Sequence, residues 1–296
     1  MQGVAGEAIA IPTQSIQVFR ILGHNPGPMT GPGTNSYLIA GEKNCVLDPG
    51  PADERQLDAI LDAVGDNNLD YILVTHTHRD HSPGALRLQQ ATGAQLVGLP
   101  VPDAIGQDQT FQPSSSWEDG DVIDGGDYSI ELIHTPGHVS NHLCYLLAEE
   151  RLLFTGDHVL QGTTPVILPP DGNMSDYLNS LRKLQEMELL MLVPGHGDVM
   201  NNPQQEIASL IEHRLQREAK VLAGLARLGE CDLDALVVPV YDDIAQDPKP
   251  LSRIESAFFT ENSNVQQIKS RDDLDVLTDG VSVSTYDRDY NAFRFN

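Results

Sequence analysis

Apolar residues recur along the chain in two rhythms. Short runs rich in Val, Ile and Leu, at 15–22, 35–40, 45–48, 70–75, 94–98, 129–134, 142–148, 151–155 and 189–193, have the length and composition of strands. Between them, 52–64, 83–91 and 175–187 carry apolar residues at helical spacing. Strands alternating with helices, mixed with strand-turn-strand pairs such as 142–148 into 151–155, predict an α/β fold of two sheets with helices outside. Pro203 then opens a longer amphipathic pattern through about Leu228, bearing Ile207, Leu210, Ile211, Leu215, Val221, Leu222 and Leu225. Beyond it, 233–240 reads as another short helix, and 281–286 with 290–295 flank Asp287-Arg288-Asp289 as a terminal hairpin. The expected division is a larger domain over residues 1–200 and a helical appendage over 201–296.

The strand-like runs end in unusual chemistry. His76-Thr77-His78-Arg79-Asp80-His81 follows the apolar run 71–74 and packs three imidazoles and a carboxylate into six residues. Three more apolar runs break at Gly beside a ligand type: Thr135-Pro136-Gly137-His138, Phe154-Thr155-Gly156-Asp157 and Val193-Pro194-Gly195-His196. Neutral imidazole and carboxylate suit zinc, iron and manganese, so these strand ends predict a metal site. His24, His134, His158 and His213 lack such a pattern and read as surface or core residues. The Gly-Pro-rich stretch 25–35 cannot be helix or central strand and is expected as a loop near the site mouth.

These motifs and their order resemble the metallo-β-lactamase superfamily, in particular its glyoxalase II-like and lactamase-β-2-like members. The signature, HxHxDH followed by His, Asp and His, is met at every position over roughly residues 15–200. The resemblance implies an αββα sandwich with a small helical or winged-helix-like C-terminal domain. It implies two Zn2+ per chain, with Fe or Mn as alternatives: His76, His78 and His138 on one ion, Asp80, His81 and His196 on the other, and Asp157 bridging. The implied reaction is hydrolysis by a metal-activated hydroxide that Asp80 orients. His142, in the run 137–142, is expected as a support for the ligands or proton donor to the leaving group, or else as a simple structural hydrogen-bonding residue. Thr75, Thr77 and Thr135 are further candidates to fix imidazole tautomers, and Arg79 is expected in a structural salt bridge.

Charge bears on the substrate. The formal net charge is −25, spread along the chain with no basic cluster. Nucleic-acid binding draws on clustered Lys and Arg, so RNA is disfavoured even though the lactamase-β-2-like resemblance points to a single-stranded-RNA endoribonuclease. A small ester, thioester or lactone is the expected substrate, with RNA cleavage the alternative and a non-catalytic binding protein on a retired hydrolase fold a third reading. Residues 1–7 lack the basic start and apolar stretch of a secretory signal, and no run approaches a membrane span, so the expectation is a cytoplasmic protein. Cys45, Cys144 and Cys231 are widely spaced and lie outside the metal motifs, which predicts buried thiols.

Overall fold

The computed structural model describes residues 3–228 and Val240. Two sheets face each other. The first contains β1 (Ala8–Ile11), β2 (Gln17–Leu22), β3 (Asn35–Ala40), β4 (Asn44–Leu47), β5 (Leu69–Leu73) and β6 (Gln95–Val97), in that order. The second runs β11 (Met191–Pro194), β10 (Leu152–Gly156), β9 (Leu143–Leu147), β8 (Ser129–His134), β7 (Val122–Asp124). Helices α1 (Glu54–Val64) and α2 (Pro83–Thr92) make the parallel crossovers β4–β5 and β5–β6. Helix α3 (Met174–Gln185) makes the parallel crossover β10–β11, and α4 (Pro203–Leu228) packs on α3.

Period-two alternation explains the layering. Tyr37, Ile39, Cys45, Leu47, Ile130, Leu132, Leu143, Tyr145, Leu147, Leu152 and Phe154 point between the sheets into one core. Their neighbours point outward: Leu38, Val46 and Ile72 pack under α1 and α2, while Ile133, Cys144 and Leu153 pack under α3 and α4. Strands apolar on both faces are what a sandwich covered on both sides requires. Helix starts follow local chemistry, with Asp53 capping α1 at Arg55 N and Asn173 capping α3 at Ser175 N and Asp176 N.

All of the predicted strands and helices within the described residues are present, with ends displaced by a residue or two. The strand expected from residue 15 begins at Gln17, because the backbone N–H groups of Gln14, Ser15 and Ile16 donate to the Glu150 carboxylate instead of a ladder. Two short strands escaped the sequence reading. β1 is four residues cut off by Pro12, and β7 is three residues among Gly and Asp, so neither shows a usable period. Cys45 and Cys144 are buried and free. The segment 233–239, the terminal hairpin and Cys231 lie outside the described residues. Among the described residues no helix is long and apolar enough to cross a membrane.

Candidate metal centre

The ligand-type residues follow the C-terminal ends of strands from both sheets: His76 to His81 after β5, His138 after β8, Asp157 after β10 and His196 after β11. After β5 the chain turns tightly, with His81 N and Ser82 N donating to His78 O, which gathers the first four side chains. Gly156 and Gly137 make the approach of the other segments possible. Gly156 has φ +45°, and a Cβ there would lie 2.6 Å from Thr75 Oγ1 and 2.8 Å from His142 Nε2. At Gly137, φ is +144° and a Cβ would lie 2.3 Å from Tyr177 Cα.

The fold brings all seven predicted ligands together as three overlapping groups: His76, His78 and His138; His76, His81 and Asp157; Asp80, His81 and His196. His78 Nδ1 lies 2.9 Å from His76 Nε2 and 3.1 Å from His138 Nε2. His196 Nε2 lies 3.1 Å from Asp80 Oδ2 and 3.4 Å from Asp157 Oδ1, while His81 Nε2 lies 3.4 Å from an oxygen of each.

The far nitrogens of the rings are held by the protein. His81 Nδ1 donates to Asp48 Oδ2 at 2.9 Å, His138 Nδ1 to the Val166 carbonyl and His196 Nδ1 to the Gly33 carbonyl at 3.3 Å. His76 Nδ1 meets Thr75 Oγ1 at 3.1 Å, and that hydroxyl donates to Asp48 Oδ2 at 2.7 Å. In each of these rings Nε2 is therefore the nitrogen that faces inward. The Gly33 contact also puts the 25–35 loop at the site, as its composition predicts.

Electrostatics divides the cluster. Burial, reinforced by the neighbouring imidazoles, pushes the pKa of His76 well down, and burial with His138 beside it takes His78 to about 3. Burial likewise lowers His138. Those three rings are held neutral, the ligating form. Burial opposes charge on His196 as well, but Asp157 and the hydrogen bonds to Asp157 and Asp80 outweigh it and raise the pKa to about 9. His81 is raised in the same way, with Asp80, Asp157 and Asp48 overcoming its burial.

A divalent cation fits this arrangement. Three neutral nitrogens converging at hydrogen-bond distance have lone pairs facing one another, which a cation relieves. The buried His81 Nε2 and His196 Nε2 each lie 3.4 Å from Asp157 Oδ1, a crowding of buried donor atoms within reach of one ion.

Other sequence expectations meet different fates. His142 is fully buried behind His76, ring centroids 5.3 Å apart, with Nδ1 2.9 Å from Thr135 Oγ1. That geometry favours packing support of His76 over proton donation to a leaving group. Thr77 holds Gln107 and accepts from Asn141, so it ties loops together and touches no imidazole. Arg79 corrects an expectation: it is exposed and forms no ion pair within the described residues, because the turn that gathers the ligands points it outward. Asp48 is the residue the sequence reading missed. It sits at φ +44° directly before Pro49-Gly50 and also accepts from Thr75 N. Its signal was available, since 45–48 is one more apolar run broken by Gly with a ligand-type residue beside it.

Two facing mixed sheets, helices on both outer faces and a His/Asp cluster across one edge define an αββα metallohydrolase-type sandwich. The chain belongs to the metallo-beta-lactamase superfamily, whose family model matches residues 29–196, and it is a hydrolase. It is 32% identical over 233 residues to a Caenorhabditis elegans protein named beta-lactamase-like protein 2 homolog, covering 76% of this chain and 77% of that one. It is 35% identical to an atrochrysone carboxyl ACP thioesterase of Aspergillus fumigatus, covering 72% of this chain and 66% of the relative. It is 33% identical to the thioesterase pkgB of Emericella nidulans, covering 71% of this chain and 59% of the relative. The chain thus spans about three quarters of the first relative's length and just under two thirds, or less, of the two thioesterases. Among solved structures, a beta-lactamase domain protein from Burkholderia ambifaria superposes with TM-score 0.75 at 15% identity, covering 100% of this chain and 94% of that one. A metallo-beta-lactamase family protein from Thermus thermophilus does so with TM-score 0.71 at 18% identity, covering 94% of this chain and 97% of that one. These two share the fold.

Proposed function

We propose that the protein is a dinuclear metal-dependent hydrolase of small thioesters, esters or lactones. The observation that carries this reading is the set of overlapping His and Asp groups, joined to one another through His76 and His81. Relatives with thioesterase in their names support the choice of acyl substrate.

His76, His78 and His138 would hold one ion and Asp80, His81 and His196 the other. Asp157 would serve both, because a carboxylate has two oxygens whereas an imidazole offers one lone pair. Zinc suits an all-nitrogen and oxygen donor set, and iron or manganese can compete for it. When bound, such a pair supplies a nucleophile from water near neutral pH and polarises the bond under attack. Asp80, the more open of the two carboxylates at 30% side-chain exposure against 13% for Asp157, would accept a hydrogen bond from the attacking water and orient it. Two loops that touch the site present exposed apolar side chains suited to an acyl group: fully exposed Ile105, two residues from the Gln107 bridge to His78, and Leu168, two residues from Val166.

The net charge of −25 works against a polyanion and leaves a small substrate favoured. A panel of thioesters, esters, lactones and single-stranded RNA, assayed over a salt series on protein of measured metal content, tests the proposal. Small acyl substrates are expected to turn over, and any RNA cleavage to be weak and to improve as salt screens the repulsion. Efficient RNA cleavage at low salt would overturn it, and inactivity of fully loaded protein on the whole panel would favour a binding protein.

A further inference from the structure

We infer that Arg214 on α4 is a positioning residue for His138, which makes α4 part of the scaffold of the candidate metal centre as well as a cover for α3. This rests on the two-ion reading above. Arg214 is 2% exposed and is the largest of the fully buried side chains in the described residues. A guanidinium stays charged in a protein, and burying a charge is costly unless it is well partnered. What the burial achieves is a specific bond: Nη2 donates to the Pro165 carbonyl. The next carbonyl along the chain, that of Val166, accepts the Nδ1 proton of His138. Only one residue therefore separates the α4 cation from the acceptor that fixes the tautomer and direction of a candidate ligand.

A second contact reinforces the first. The guanidinium lies over the Tyr177 ring, 5.4 Å from its centroid. Tyr177 backs directly onto the backbone at Gly137, and its hydroxyl donates to the carbonyl of His158 at 3.0 Å. Ser180 on the same helix donates to Pro136 O at 2.8 Å. Arg214 is wedged between the segment that accepts from His138 and the helix that supports the chain immediately before it. Neither contact could have been read from sequence, where Arg214 lies in the charged run Glu212-His213-Arg214-Leu215-Gln216-Arg217-Glu218.

The test is zinc binding by the full-length chain, measured by competition with a chromophoric chelator so that two constants are resolved. The constant that disappears in His138→Ala marks the site in question. In Arg214→Met that constant is expected to weaken about tenfold or more, the usual effect of losing a group that holds a ligand, while the other moves much less. Leu210→Ala, on the same helix and packed in the same apolar cluster, is expected to lower the melting temperature without selective loss of either constant. Arg214→Lys is expected to fall between wild type and Arg214→Met, and it carries the test if the Met variant does not fold. Wild-type constants in the Arg214 variants, equal weakening at both sites, or the same selective loss in Leu210→Ala would overturn the inference. Failure of the wild-type protein to take up zinc, iron or manganese would overturn the two-ion reading and this inference with it.

Discussion

Asp157 occupies the position between the two groups of histidines, and its removal should separate ligand from neighbour. Asp157→Ala is expected to reduce zinc content from about two per chain to about one or fewer and to abolish nearly all hydrolysis, as read by elemental analysis and turnover. His158→Ala should keep both metals and lose stability instead, because His158 is fully buried against His142 and Tyr177. Equal loss of metal in the two variants would contradict the assignment. Arg79 offers another residue-level expectation: exposed beside two site residues and outside any ion pair among the described residues, it is placed to attract an anionic part of a substrate. Arg79→Ala should raise KM for acidic thioesters about threefold or more, by loss of roughly 0.7 kcal/mol of partly screened attraction, with kcat little changed. An unchanged KM, or a fall in kcat alone, would remove it from substrate recognition. The ligand types were legible in sequence because each follows an apolar run, as the dense motif 76–81 or beside a Gly at His138, Asp157 and His196. The type and place of Asp48 were legible in the same way, but its bond to His81 and the burial of His142 were not, since what those two touch is decided by segments distant in the chain.

At the scale of elements, the long strands were legible because both faces are buried, which forces continuous apolar runs of recognisable length. The start of β2 was set by something no local pattern carries, the carboxylate of Glu150. Glu150 Oε1 and Oε2 accept from Gln14 N, Ser15 N, Ser15 Oγ and Ile16 N at 2.6–2.8 Å. Burial opposes its charge, but those bonds outweigh it and take the pKa from the ordinary 4.5 to about 2. A carboxyl depressed on folding stabilises the native state above its unfolded pKa, and the contribution disappears as pH falls through the folded value. Glu150→Gln is therefore expected to cost about 2 kcal/mol at neutral pH. The gap from wild type in denaturant unfolding should narrow between about pH 4.5 and about pH 2. A gap independent of pH over that range would mean that the charge contributes nothing beyond shape.

The architecture of the described residues was legible down to its αββα layers, but the place of α4 was not: its pattern announces a buried face without naming what covers it. Ile207 and Leu210 join the core under α3, so a chain ending before Pro203 should expose that surface. Such a truncation is expected to be poorly soluble or to melt well below the full chain, measured by calorimetry on matched preparations. A soluble fragment of residues 1–200 with full activity would show the helix to be an independent module. The site also straddles the order in which the chain is made. Its first four ligands follow β5 of the first sheet, whereas His138, Asp157 and His196 follow strands of the second. A chain still leaving the ribosome can have folded its first sheet and yet own half a catalyst. On the ligand set proposed above, hydrolytic power would be withheld from the nascent protein until residue 196 has emerged and the two sheets have met.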